Sequence, residues 1–563
     1  MSSQALSESS FVARLQQTCS LDPMYFSGMD KRNRAAVAME RIGSRKVEMK
    51  RLTIALAAAA AFSGSATAAD LGARPLKAVA LPVTTANWTG FYVFGGVGGG
   101  LWSADSNVLS SGPPAVAPAG TPFTRDQRLG GSGWFGTVGA GYDWQFNGGW
   151  VAGVFADGQF GNISGTIADP FSDFSPTGRE KLHTSYAAGA RLGHLVAPNV
   201  LSYVNAGYSG SDWSGSTLSV STIGGFFPVG TPLLTTPSFH RDGWFIGGGV
   251  ENSLNIFGIS APGWFMKTEY RSAYYTRTTL PETFAATGTP AVATVTFKPW
   301  VQTISSSLVY RFNAAGTVAA AESAPRLYTK AQAAGTAPSW TGFYAFGGGG
   351  GGLWNADSNV VASPALAAFG FAPGTPFTSD QRMGGTGWFG TVGAGYDRQF
   401  NSNWVAGLFA DGQFGDIRGS LANPTMPDTE GTEKLRTSYA AGVRLGYLVA
   451  PNVLSYVNAG YSGSEWSGTT QATITLPSIA FATTPSFRRD GWFVGGGVEN
   501  SLNIFGISAP GWFMKTEYRS AFYDRITLPQ TVLPAGGGGD PGTAITFKPW
   551  VQTISTAIVY RFN

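Results

Sequence analysis

The stretch Gly133-Trp134-Phe135-Gly136-Thr137-Val138-Gly139-Ala140-Gly141-Tyr142-Asp143-Trp144-Gln145-Phe146 carries the deciding pattern. Trp134, Val138, Ala140, Tyr142, Trp144 and Phe146 fall on one face of an extended chain. Thr137, Gly139, Gly141, Asp143 and Gln145 fall on the other. Side chains of a strand point alternately to its two faces, so this period argues for a strand with one apolar side. The pattern recurs: Trp264, Met266, Tyr270 and Tyr274 oppose Lys267, Glu269 and Arg271, and Trp300, Ile304, Leu308, Tyr310 and Phe312 oppose Thr303, Ser305, Ser307 and Arg311. A sandwich facing its own core shows the same period. A small, polar second face and aromatics bunched at strand ends favour lipid outside and a filled lumen inside.

Composition agrees. Of 563 residues 78 are Gly, 12% are charged and 13% aromatic. Gly is about twice its usual share and charge about half, too little charge for a solvated disordered chain. No segment after residue 62 reaches the roughly 18 unbroken apolar residues of a membrane helix. The formal net charge of +4 comes with no Lys/Arg cluster on the body of the chain, so no nucleic-acid partner is expected. Cys19 is the only cysteine, which excludes disulfide frameworks and Cys-ligated metals downstream.

Met49-Lys50-Arg51-Leu52 opens a short basic segment, followed by an apolar core to Phe62 and then Ser63-Gly64-Ser65-Ala66-Thr67-Ala68. This is a secretory signal peptide over 49–68, with cleavage expected after Ala68. Residues 1–48 carry no motif and are read as an unstructured start-site extension, with translation beginning at Met49.

The remainder is a duplication. Trp88-Thr89-Gly90-Phe91-Tyr92 returns at Trp340–Tyr344, Gly133–Tyr142 at Gly387–Tyr396, and Asn252–Glu269 without change at Asn500–Glu517. Val309-Tyr310-Arg311-Phe312-Asn313 returns as Val559–Asn563. Each copy is a domain, being far longer than a solenoid unit of 20–50 residues. In the first, strands are expected near 88–102, 132–146, 150–164, 181–196, 200–214, 241–255, 264–277 and 298–312. Tight turns such as 147–149 and 197–199 alternate with long loops such as 103–131 and 215–240, the plan of bacterial outer-membrane barrels. The expected organisation is a periplasmic segment 69–87, a barrel over 88–313, a linker over 314–339 and a second barrel over 340–563. Copy one already ends in its own closing strand, and a flexible 26-residue linker spans about 28 Å. Two eight-stranded antiparallel transmembrane barrels lying side by side are therefore expected, with one barrel of sixteen strands as the alternative.

The signal peptide ending Ala-Thr-Ala-Ala-Asp-Leu, the following Ala73-Arg74-Pro75, the opening Trp-Thr-Gly-Phe-Tyr and the closing Tyr-Arg-Phe form one ordered frame. In these the chain resembles the small porin-like outer-membrane immunogenic proteins, OmpA-type eight-stranded barrels of Gram-negative bacteria. The likeness covers nearly everything from Met49 onward, once per copy; the departure is the duplication. It implies a place in the outer membrane, with lipid and lipopolysaccharide as surroundings. It also implies an assembly signal for the barrel-assembly machinery at Phe562, with Tyr560, and at Phe312.

Alternation places Asp143, Asp157, Arg191, Glu251, Lys267, Glu269, Arg271 and Arg311 in the lumen of copy one. It places Asp397, Asp411, Arg444, Glu499, Lys515, Glu517, Arg519 and Arg561 in that of copy two. Four acids and four bases per copy, in a barrel just wide enough to be filled by side chains, favour a paired network over an ion pathway. Catalysis is not expected: the three histidines, His183, His194 and His240, are replaced in copy two by Arg436, Tyr447 and Arg488. His183 is expected to face the lumen near the outer rim. No His cluster has metal-ligand spacing, and Gly95–Gly100 and Gly347–Gly352 lack the Gly-Lys-Ser/Thr ending of a phosphate loop, so no cofactor or metal is expected. The function expected is a structural, envelope-integrity role with surface loops and a plugged lumen. The alternatives are a porin for passive diffusion of small solutes and an adhesin acting through the loops.

Overall fold

The computed structural model describes residues 86–312 and 339–562, apart from 113–116, 148, 173, 224–226, 257–258, 426–427, 505–506 and 535–536. The start-site extension, the signal peptide, nearly all of the periplasmic segment and nearly all of the linker lie outside the described residues. The chain divides into units 1–81 and 82–563, and everything described belongs to the second.

That unit is nearly all β. The first repeat contributes β1 (Gly90–Ser106), β2 (Gln127–Phe146), β3 (Trp150–Ala168), β4 (Thr177–Ala197), β5 (Val200–Trp213), β6 (Phe239–Ile256), β7 (Ile259–Tyr275) and β8 (Pro290–Arg311). The second contributes β9 (Gly342–Ser358), β10 (Gln381–Phe400), β11 (Trp404–Asn423), β12 (Thr429–Ala450), β13 (Val453–Trp466), β14 (Phe487–Ile504), β15 (Ile507–Tyr523) and β16 (Thr543–Arg561). Each strand from β1 to β8 pairs antiparallel with the next. β8 pairs back to β1, from Tyr92↔Arg311 to Asp105↔Lys298. β9 to β16 repeat the circuit, with β16 returning to β9 from Tyr344↔Arg561 to Asp357↔Lys548.

Exposure follows the period of two. Trp134, Val138, Trp144 and Phe146 are exposed, whereas Thr137 and Asp143 are buried. The strands run to 22 residues, about twice what crosses the hydrocarbon core. They are longer than expected at the long-loop ends: β2 starts at Gln127, and β8 starts at Pro290. The reason lies in the loops. Val108–Ser110 and Thr278–Phe284 pair with the first half of β8, so the ladder continues through segments that lack a lipid-type apolar face.

Glycine makes room at one level of the wall. A methyl group on Gly131 would sit 2.1 Å from the Trp102 indole, and one on Gly385 equally close to that of Trp354. Both tryptophans point inward and are fully buried. The inward expectation for His183 is overturned. The β4–β5 register shifts between Leu182 and Thr184, so Leu182 turns in and is buried while His183 turns out and is exposed. A bulge inserts one extra residue, and strict alternation fails there.

Candidate functional site

Three tiers of side chains fill the first circuit. Nearest the short turns, Arg191 donates from Nε to Asp143 Oδ1 (2.9 Å) and from Nη1 to Glu251 Oε2 (3.1 Å). Arg311 donates from Nε to Glu251 Oε1 (2.7 Å), from Nη2 to Asp143 Oδ2 (2.8 Å) and from Nη1 to the Trp88 carbonyl (3.3 Å). The Arg311 guanidinium lies 4.3 Å from the Trp88 ring centre, and that of Arg191 4.4 Å from Tyr92. Asp143 and Glu251 are fully buried, so each carboxylate depends on two arginines for compensation.

The middle tier is separate. Arg271 donates to both oxygens of Asp157 (2.8 and 2.5 Å) and to Glu269 Oε1 (2.9 Å). Glu269 Oε2 accepts from the Tyr203 hydroxyl (2.7 Å) and lies 3.5 Å from Lys267 Nζ. That ammonium sits 3.3 Å from the centre of the Phe94 ring. The top tier is aromatic: Trp102, Trp213 and Phe297 meet edge to face with centroids 5.2 to 5.7 Å apart. Trp102 Nε1 donates to the Ile163 carbonyl and Trp213 Nε1 to Ser211 Oγ, which satisfies both indoles.

The second circuit repeats each tier. Arg444 Nε donates to Asp397 Oδ1 (2.8 Å), and Arg561 bonds Glu499 Oε1 (2.8 Å) and Asp397 Oδ2 (2.8 Å). Arg519 bonds Asp411 (2.8 and 2.6 Å) and Glu517 (2.8 Å), Lys515 sits over Phe346, and Trp354, Trp466 and Phe547 form the cap. All sixteen charges named from the sequence are buried and lie in ion pairs. Sequence reasoning missed their aromatic partners, Trp88, Tyr92, Phe94 and Tyr203, and the aromatic tier. The inward parity of Tyr92, Phe94 and Trp102 on β1 was the available signal. Phe312, Phe562 and Tyr560 are exposed at the short-turn end of the closing strands.

A second locus lies where the long loops of the two repeats meet, through reciprocal bonds. The Arg128 N–H donates to Ser420 Oγ (2.8 Å), and the N–H of its counterpart Arg382 donates to Thr166 Oγ1 (2.8 Å). Arg128 Nη1 bonds Thr386 Oγ1 (3.0 Å), and Arg382 Nη1 bonds Ser132 Oγ (2.8 Å). The Arg125 N–H reaches the Ile474 carbonyl while that of Ser379 reaches Ser221, both at 2.9 Å. Equivalent strands β2 and β10 touch antiparallel at Leu129↔Met383. The side-by-side expectation is thus not what joins the repeats in this structure: their loop ends do. On the local two-fold axis relating these contacts, Ser175 donates to Asp428, its own counterpart in the second copy.

An acidic pair lies beside this axis. Asp169 accepts from the backbone N–H groups of Phe171 (2.9 Å) and Ser172 (3.2 Å) and from the Ser172 hydroxyl. Buried against it is Glu282, which faces no cation among the described residues. Burial, reinforced by Asp169, pushes the Glu282 carboxyl up to about 9; burial likewise raises Asp169 and takes Asp428 to about 7. In copy two the same place holds an amide pair, Asn423 Nδ2 donating to Gln530 Oε1 (2.9 Å).

Residues 313–562 match the family described as Outer membrane protein beta-barrel domain. The chain is 28% identical over 215 residues to the 31 kDa outer-membrane immunogenic proteins of Brucella melitensis biotype 1 and Brucella suis biovar 1. That alignment spans 38% of this chain and 82% of each relative. Among solved structures, a Pseudomonas aeruginosa FadL homologue aligns at 11% identity over 84% of this chain and 91% of its own, with a TM-score of 0.25. Neisserial surface protein A aligns at 14% identity over 40% and 98%, with a TM-score of 0.17. The protein is an outer-membrane β-barrel protein related to outer-membrane immunogenic proteins.

Proposed function

We propose that the chain forms two tandem eight-stranded transmembrane barrels, over 88–313 and 340–563, joined by a periplasmic linker. Each barrel is an envelope-stabilising element with a plugged lumen and functional outer loops. The observation that carries the plug is the stack of two ion-pair tiers and one aromatic tier across each interior. A buried pair is strongly resistant to losing one partner, because the other charge is stranded. An ion crossing the lumen would have to break both tiers.

Two barrels are favoured over one of sixteen strands by the return of β8 to β1 and of β16 to β9. Closure leaves no strand edge in lipid, where an unpaired backbone group costs several kcal/mol. The exposed Phe562 and Phe312, with Tyr560, are proposed as the groups read during assembly. No catalysis, cofactor or metal is part of the proposal. The test is the refolded protein in a planar bilayer, where a passive porin gives stable conductance steps and a plugged pair does not.

A further inference from the structure

We propose that the outer wall of the second barrel carries a site for the anionic phosphate headgroup of an outer-leaflet lipid, a site that the first barrel lacks. This rests on the reading that the second repeat spans the membrane with its long loops outward.

The site is a row of cations across four neighbouring strands. Arg418 of β11 lies opposite Lys434 of β12, Arg436 follows on the same outward face, and Arg488 of β14 lies opposite Glu465 of β13. With strands about 4.8 Å apart the row is about 14 Å wide, a compact patch and not scattered charge. Asp416 accepts from Arg418 Nε (3.0 Å) and lies 3.2 Å from Lys434 Nζ, which draws those two cations together. Glu465 holds Arg488 at 2.6 Å. Arg436 is exposed and, among the described residues, has no carboxylate within ion-pairing distance. The Arg418 and Arg488 side chains are 60% and 77% exposed, so an anion in front of Arg436 can reach both. A guanidinium fork matches the oxygens of a phosphate two at a time.

Height on the wall decides what that anion is. Toward the short turns the same outward faces carry Phe414, Tyr439, Tyr461 and Trp492, then Val443 and Leu445, all exposed. Arg436 stands eleven residues along β12 from Tyr447. On a strand tilted near 40° that is about 28 Å along the membrane normal, just past an apolar band about 25 Å tall. Aromatics mark the interface there, and Lys/Arg clusters beside the hydrocarbon attract anionic headgroups.

The first repeat supplies the contrast. It has Ser164, Lys181, His183 and His240 where the second has Arg418, Lys434, Arg436 and Arg488, and Asn162 and Asp212 where the second has Asp416 and Glu465. Three places in one patch thus carry a permanent guanidinium only in the second repeat. His240 is turned to its own carboxylates, Asp212 (2.8 Å) and Asp242 (3.1 Å). Asp242 and its counterpart Asp490 each accept a tyrosine hydroxyl, from Tyr208 and Tyr461, so they do not make the difference.

The test uses the full chain in dioleoylphosphatidylcholine vesicles containing a minor share of dioleoylphosphatidylglycerol. Either Phe414 or its counterpart Phe160, both 55% exposed, is replaced by p-benzoylphenylalanine, and the lipid captured on illumination is identified by mass. Phosphatidylglycerol is expected at Phe414 at about five times its bulk share, the scale of one uncompensated cation beside an anionic surface, and at Phe160 at its bulk share. Arg436→Gln/Arg488→Gln should bring Phe414 down to the bulk share, and Arg436→Lys should keep most of the enrichment. Lipid captured at both positions in bulk proportion overturns the site and leaves the barrel reading intact. Equal enrichment at both also overturns it, since the second wall is then not special. Enrichment abolished by inorganic phosphate at constant ionic strength overturns the lipid assignment in favour of a soluble phosphate. No lipid captured at either position removes the membrane-wall premise and the site with it.

Discussion

Arg311, on the last strand of the first circuit, holds Glu251 of β6 through Nε at 2.7 Å, and both side chains are buried. Asp143 of β2 takes the other end of the same guanidinium at 2.8 Å, so three strands are tied across the interior. Removing one partner from such a network strands the others, at about 3–5 kcal/mol. Arg311→Leu is therefore expected to lower the urea midpoint of the refolded protein clearly, and Arg561→Leu to do the same in the second circuit. Midpoints unchanged in both variants would mean that the ion tiers do not hold the fold.

The Asp169–Glu282 pair predicts a pH effect at residues 278–284 that the matching segment of the second repeat, residues 526–532, lacks. Glu282 has an ordinary value of 4.5 and is pushed to about 9 in the folded protein. A raised carboxyl stabilises the fold fully below the unfolded value and loses that contribution as pH rises toward the folded value. Amide-exchange protection of residues 278–284 should fall between about pH 4.5 and 9 once intrinsic exchange is corrected. Residues 526–532, beside the Asn423–Gln530 amide pair, should stay nearly flat. Glu282→Gln should reduce the slope at residues 278–284. An equal slope in residues 278–284 and 526–532 would rule out the acidic pair as its cause.

Both repeats should show their long loops on the cell surface. Arg179 and Arg488 are exposed at that end, whereas Lys267 is buried in the lumen. In the Cys19→Ser background, Arg179→Cys and Arg488→Cys should each react with an impermeant maleimide on intact cells, and Lys267→Cys should not. Reaction of either rim site only after permeabilisation would contradict the shared orientation.

The period of two made the strands and their inward charges legible, because Asp143, Arg191 or Arg271 on a small-residue face has nowhere to go but the interior. Which charge meets which was not legible, since pairing depends on the stagger between strands far apart in sequence. Arg271 meets Asp157 across 114 positions. His183 was misplaced because a bulge shifts parity without any Gly or Pro to mark it. The rim joint was invisible because Thr, Ser and Gln there read as ordinary loop residues, and its bonds run largely to backbone. The substitution of Asp428 for Ser175 is meaningful only once the two are seen to face each other.

The central claim is that each lumen is closed by its own side chains. Single-channel recording of the refolded full-length protein in a planar bilayer tests it most directly. A flat baseline at moderate voltage, with current appearing only after Arg311→Leu or Arg561→Leu loosens a tier, is the predicted result. Stable, large conductance steps from the unaltered protein would contradict it and favour a single wide pore.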